Sequence, residues 1–262
     1  MSTLHSFCAE LSCPDGHYPV GGLIQATDGY FYGTTFVGGG ISTDYGTIFR
    51  LTSDGAVLTT LFVFTCPDDY ACGDGAGPMA TLLEASDGYL YGTTIYGGLP
   101  PGAGTVFRIQ RSPKFSVPVS FTSLHTFCQG EISFCTDGAH PMSSLVQGDD
   151  GVYGTTAGFS TFSHGTIFKI AHAETGDDLA ILYNFCPHQT VCESSGQTPF
   201  AGLTKTSDGT LYGTTSAGGS NGAYGTVFKI TPNGAMTTLH SFDGADGETP
   251  YGSAFMTRDG DV

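Results

Sequence analysis

The sequence has no tryptophan and no apolar run near the ~20 residues of a membrane-spanning helix. Bases are scarce: eight Lys and Arg stand against 24 Asp and Glu, a formal net charge of −16. Such a surface repels phosphate, which argues against a nucleic acid or an anionic membrane as partner; the lack of a long apolar run argues against membrane insertion. Solubility is the plain use of this acidity, and cation or basic-ligand binding is the other. No apolar pattern of helical period runs between the turn signals, so a stack of helical repeats is excluded. A nucleophile elbow, an H-E-x-x-H pair, a P-loop and a dinucleotide-binding glycine fingerprint are also missing.

Glycine and cysteine are abundant instead. Forty Gly and 13 Pro in 262 residues fit many short strands joined by tight turns. The eight cysteines fall into four close pairs, Cys8/Cys13, Cys66/Cys72, Cys128/Cys135 and Cys186/Cys192. Even number and regular placement predict four local disulfides and an oxidising compartment, so a secreted or cell-surface protein. Zinc is the rival, but it needs four ligands from two pairs, and successive pairs lie about sixty residues apart. The opening MSTLHSF has neither a charged nor an apolar signal region and reads as a trimmed or mature form.

The same pattern recurs along nearly the whole chain. YGTT appears at Tyr32, Tyr91, Tyr153 and Tyr212, each after a DG turn, and a Gly-Thr-[Ile/Val]-Phe strand follows at Gly46, Gly104, Gly165 and Gly225. Each unit of about sixty residues holds four strand-like runs, here A, B, C and D. Four short antiparallel strands per repeat is the signature of a β-propeller; a parallel β-helix would use shorter, more even coils. The fold expected is an all-β, single-domain propeller with repeat units at 20–65, 79–127, 142–185 and 200–242. A composite, incomplete fifth blade is expected from 251–262 together with the N-terminal strand 2–7. The threonines of YGTT sit in identical strand contexts with no His or acid at a fixed offset to activate them, so they read as architecture. Arg50, Arg108, Lys169 and Lys229 end the C strands near Asp28, Asp87, Asp150 and Asp208 of the DG turns, which predicts a repeated ion pair of modest value.

The composite DGYLYGTT…GG…GTIFRLT.DG resembles the GloVer tandem repeat of bacterial surface and secreted proteins, over residues 20 to 262. The resemblance implies a propeller-like exported repeat protein and no particular reaction. The A–B–C–D order is also similar to NHL-type and lactonase-type propellers, whose ligand-bearing residues are not recognisable here.

In this topology the D–A and B–C connections share one end of the repeat, and the short A–B and C–D turns share the other. Long, cysteine-bearing, variable loops gather at the first, and function concentrates on such loops. The ligand-binding candidates are therefore His17, Tyr18, Asp137, His140 and Glu248. Asp243, Asp246 and Glu248 in DGADGE have spaced oxygens that could take Ca²⁺, although the string is not an EF-hand. Tyr18, Tyr45, Tyr96, Phe159 and Tyr224 beside glycine-rich loops are candidate platforms for sugar rings. His5, His125 and His240 recur in the D strand and read as structural. The leading function is an extracellular binding or scaffold propeller whose partner is a glycan or another extracellular ligand. A hydrolase or lyase acting on polysaccharide or ester is the second reading, with no carboxylate pair singled out. A self-assembling surface protein is the third.

Overall fold

A computed structural model describes residues 3–40, 44–67, 72–100, 102–111, 119–129, 135–158, 164–171, 179–186, 195–255 and 257. It divides into two compact units, Met1–Thr126 and Phe127–Val262. In the first, one antiparallel sheet is β1 (Ile24–Gln25), β2 (Phe31–Thr35), β3 (Thr47–Leu51) and β4 (Leu58–Val63); the next is β5 (Leu83–Glu84), β6 (Tyr89–Thr94), β7 (Thr105–Gln110) and β8 (Phe121–Thr126). In the second unit the sheets are β9 (Val146–Gln147), β10 (Gly151–Thr156), β11 (Thr166–Ala171) and β12 (Leu179–Asn184), then β13 (Thr204–Lys205), β14 (Leu211–Thr215), β15 (Thr226–Ile230) and β16 (Met236–Ser241). Each is a simple meander, as the four runs per repeat predict. We refer to them as sheets 1 to 4. Residues 3–7 and 251–255, expected to pair in a fifth blade, belong to no strand.

The turns form for local reasons. Asp28 Oδ1 accepts the Tyr30 amide at 3.2 Å, and the Gly29 amide donates to Ala26 O at 2.8 Å. Asp87 and Asp208 repeat the first bond at 3.0 Å each. This is the Asx-type closure that suits Asp-Gly. The YGTT strands and the C strands beside them are filled by buried aromatic and β-branched side chains, with Tyr32, Ile48, Phe107, Ile167 and Phe228 all at 2 % exposure or less.

Adjacent apolar residues in the C strands point to opposite faces of their sheet, and both faces are buried: Ile48 is 0 % and Phe49 2 % exposed. The C–D register slips between Ile48 and Phe49, Val106 and Phe107, Ile167 and Phe168, and Val227 and Phe228. The extra D-strand residue at each bulge is Leu61, Leu124, Leu182 or Leu239. A bulge re-aims its side chain out of the ladder, and Leu61 joins a cluster with Ile48 and Tyr32 of sheet 1 and Leu90, Phe107 and Ile109 of sheet 2. In the second unit Leu182 packs against Tyr153 and Ile167 of sheet 3 and Leu211 and Phe228 of sheet 4. The repeats of each unit are joined in this way.

The YGTT threonines have two jobs. The second, Thr35, Thr94, Thr156 or Thr215, pairs its hydroxyl with Thr47, Thr105, Thr166 or Thr226 of the C strand at 2.8–2.9 Å. The first reaches the next repeat: Thr155 donates to Ala201 O at 3.2 Å and Thr214 to Gly252 O at 3.0 Å. These buried hydroxyls are structural, as their repeated context predicts.

Candidate functional site

The loop end of each repeat is built on the second threonine. Gly16, Gly75, Gly138 and Gly196 sit above Thr35, Thr94, Thr156 and Thr215 so closely that a Cβ would land 2.0–2.2 Å from the hydroxyl oxygen. From there the D–A loop runs beside the B–C loop. The His17 amide donates to Val37 O at 2.8 Å, Ala76 to Tyr96 O at 2.8 Å, and Gln197 to Ala217 O at 2.7 Å. Thus the D–A and B–C connections do share one end, as the topology predicts.

Local disulfides close the same loops: Cys8–Cys13, Cys66–Cys72 and Cys128–Cys135. Cys186 is also disulfide-bonded. Its expected partner Cys192 lies outside the described residues.

The acids of these loops are largely engaged by their own backbone. Asp15 accepts the Cys8 amide at 3.0 Å and His5 Nε2 at 2.8 Å. Asp137 takes the Cys128 amide on both oxygens, at 3.0 and 3.1 Å. Asp246 takes the Asp243 amide at 3.0 Å and His240 Nε2 at 2.6 Å. The Asp243 amide thus holds the Asp246 carboxyl below its usual range, with His240 adding to the effect. Asp243 itself accepts the Ala245 and Asp246 amides. His5 and His240 therefore brace their loops, the structural role expected of them. Among the described residues no three His, Cys, Asp or Glu gather to hold a metal ion. Asp243, Asp246 and Glu248 are not assembled as the Ca²⁺ group expected of them, because two of the three carboxylates point back into their own turn while Glu248 is exposed.

The structure places the other candidates as follows. His17 and Tyr18 stand together, ring centroids 4.7 Å apart, and His17 Nε2 is 3.5 Å from Asp44 across the B–C loop. Tyr18 is 67 % exposed, held at φ +54° with its carbonyl accepting the Phe36 amide. Tyr96 is 49 % exposed and tilted against Phe36 at 6.5 Å. Tyr45 packs on the core instead, and Tyr224 lies against Gly222 and Gly244. Phe159 is outside the described residues. His140 occupies the repeat position of Tyr18, at φ +56°, and burial pushes its imidazole below the usual histidine pKa of 6.5. Asp137 and His140 share one loop in the second unit. Phe36 and Asp44 were not singled out by sequence; Phe36 is the residue after YGTT, a position readable once B–C loops are known to face the D–A loops.

At the turn end, two open depressions of about 310 and 260 Å³ occur, the first between the turns of Asp28 and Asp54, the second beside Asp149 and Lys205. Their carboxylates are also engaged. Asp54 accepts the Thr52 hydroxyl and the Ala56 amide, which lower its pKa. Asp150 pairs with Lys169 at 2.7 Å and accepts the Tyr153 hydroxyl at 2.7 Å. Tyr32 and Tyr91 donate in the same way to Asp28 and Asp87, at 2.7 and 2.6 Å. Burial and then the Asp87 bond push the Tyr91 phenol up to about 12, and Tyr32 and Tyr153 are raised likewise by burial first. The expected C-strand ion pair is present at Lys169, and Arg50 and Arg108 also lie over the Tyr30 and Tyr89 rings at 4.6 and 4.7 Å. The string GGSNG at 218–222 fits G-x-S-x-G in letters only. It lies in the loop between β14 and β15, and the Ser220 hydroxyl bonds to Asn221 Oδ1.

The family model of the Gloeobacter/Verrucomicrobia repeat matches residues 1–193 and 121–262. The chain belongs to this repeat family. No curated protein matches it. Among solved structures, it is similar to a protein of unknown function from Dyadobacter fermentans, at 13 % identity and a TM-score of 0.52, over 86 % of this chain and 70 % of that one. An ulvan lyase of a polysaccharide lyase family aligns at 13 % identity and TM-score 0.49, over 89 % of this chain and 59 % of the lyase. An endo-arabinase from Bacteroides thetaiotaomicron aligns at 15 % and 0.40, over 98 % and 90 %. At these identities the likeness concerns the fold alone. The Gloeobacter/Verrucomicrobia repeat is here a four-stranded meander with a turn end and a loop end.

Proposed function

We propose that this repeat protein is an extracellular carbohydrate-binding scaffold that meets its ligand at the loop end, with Tyr18 and Tyr96 as stacking platforms. The observation that carries this reading is their exposure, 67 % and 49 %, on D–A and B–C loops that bridge to one another. A tyrosine offers a flat apolar face and a polar hydroxyl, which suits the mixed surface of a sugar ring. His17 and Asp44 supply polar contacts beside Tyr18. His140 and Glu248 are the corresponding rim residues of the second unit. The disulfides keep such loops stiff, lowering the ordering cost of binding, and they fit an oxidising, extracellular setting. Binding is preferred to hydrolysis because Asp15, Asp137 and Asp246 are already bonded to backbone amides.

Titration of the chain with a panel of oligosaccharides, followed by tyrosine fluorescence and calorimetry, tests this. Tyr18→Ala and Tyr96→Ala should each weaken binding by about tenfold, the value of a lost aromatic anchor. Asp54→Ala, at the turn end, should leave it unchanged. A panel without a binder, or a binder indifferent to both tyrosines, would refute the reading.

A further inference from the structure

Sheet 4 ends the second unit with half of a repeat junction uncovered. At the bulge position Leu61 is 7 % exposed, whereas Leu239 is 45 % exposed. Tyr32, Tyr91 and Tyr153 are buried, yet Tyr212 at the same position is half-buried; so is Val227, the counterpart of Ile48 and Ile167. The phenylalanine ending each D segment follows the same rule. Phe64 meets Phe107 edge-on at 5.6 Å and Phe185 meets Phe228 at 5.4 Å, both rings supplied by the C strand of the following sheet. Phe242, after β16, is half-buried and lies against its own His240 at 5.0 Å.

Part of the following repeat is nevertheless in place. Thr214 donates to Gly252 O, as Thr155 does to Ala201 O, and the Thr204 hydroxyl bonds Ala254 O. A Cβ on Gly225 would fall 2.7 Å from Pro250 Cδ, and one on Gly165 2.5 Å from Pro199 Cδ. Residues 250–254 therefore hold, against sheet 4, the segment that leads into the A strand of a further repeat. Phe255, where a B strand would pair, is 80 % exposed. The uncovered positions are those that B and C strands cover elsewhere in the unit.

We infer that the outer face of sheet 4 is an acceptor for one β-hairpin of the B–C type, presented by a further repeat of this family. Its C-strand phenylalanine would stack on Phe242, that phenylalanine and the isoleucine two residues after it would cover Leu239, as Phe228 and Ile230 cover Leu182, and its YGTT strand would pair at Phe255. The argument is continuity: the same chemistry is satisfied this way between sheets 3 and 4. It is independent of the carbohydrate reading, since it concerns the sheet face and not the loop end.

A labelled peptide of residues 206–232, which spans the B–C hairpin of sheet 4 and contains no cysteine, is the probe. Fluorescence anisotropy with the 262-residue chain should show saturable one-to-one binding, absent for a scrambled peptide. Leu239→Asp and Phe242→Ala should each weaken it about tenfold or more. Because an isolated hairpin is marginally stable, a second measurement supplies the hairpin covalently. Asp259-Gly260 matches Asp208-Gly209 in the repeat, so a copy of residues 212–242 added after Val262 continues the pattern in register. The extended chain should melt about 5 °C or more higher, with slowed amide exchange in residues 236–242. An extended chain with unchanged melting and exchange overturns the proposal. So does concentration-dependent dimerisation that Leu239→Asp abolishes while the peptide fails to bind, which would assign the face to a second copy.

Discussion

At the turn end Gly29 has φ +86° and nothing within 4 Å of the place a Cβ would take. At the loop end Gly16 has φ +87°, and a Cβ there would fall 2.0 Å from Thr35 Oγ1. The two glycines follow aspartates and share a backbone conformation, but only one is also a packing requirement. The charges divide in a similar way. The D–A and B–C connections contain no Lys or Arg, while Arg50, Arg108, Lys169 and Lys229 all stand at the turn end. There the aspartates are balanced by bases and tyrosine hydroxyls. At the loop end they are spent on amides and histidines, and Tyr18 and Tyr96 are exposed. The turn end is thus the same device repeated, and the loop end is a rigid base under variable surfaces.

The largest test of this contrast is a matched pair of substitutions. Gly16→Ala combines left-handed backbone strain with a clash against a buried threonine and should cost about 3 kcal/mol or more. Gly29→Ala meets only the backbone strain, about 1–2 kcal/mol. Urea unfolding of the two variants measures both, and equal costs would erase the distinction. A smaller effect is expected from replacing Cys128 and Cys135 together by serine. Closing a short loop is worth about 2 kcal/mol in the chain-entropy model, and hydrogen exchange should rise in the loop of Asp137 while the DG turns stay protected.

The pH dependence should separate the two ends with the least perturbation. Tyr91 at the turn end ionises at about 12 when folded, above the ordinary value of 10.0. Its contribution is complete below pH 10 and is lost as pH rises toward 12, because the unfolded chain releases the proton first. His140 at the loop end is depressed below 6.5. Its contribution is complete above pH 6.5 and declines as pH falls through the folded value, because the unfolded chain then binds the extra proton. Tyr91→Phe should flatten the alkaline limb of the urea midpoint against pH, and His140→Gln the acid limb. Each substitution should leave the other limb in place.

Much of this protein is local, and so was legible in the residues. The sixty-residue period, the DG turns, the strand order and the pairing of Cys8 with Cys13 all depend on near neighbours in the chain. YGTT read as architecture because four copies stood in one context. The neighbours of loop side chains depend on strands brought up from elsewhere. Nothing in the letters distinguishes Asp137, bonded to the Cys128 amide, from a free rim acid, or half-buried Tyr45, packed on the core, from exposed Tyr18. The bulge at Leu239 was equally hidden, since an extra residue is defined only against the partner strand. Sequence alone determined the repeat, because hydrophobic period and turn chemistry act over a few residues. Tertiary structure alone decided which threonine hydroxyls meet, which carboxylates turn inward and which apolar faces stay open, because those outcomes depend on contacts between segments that the chain order does not bring together.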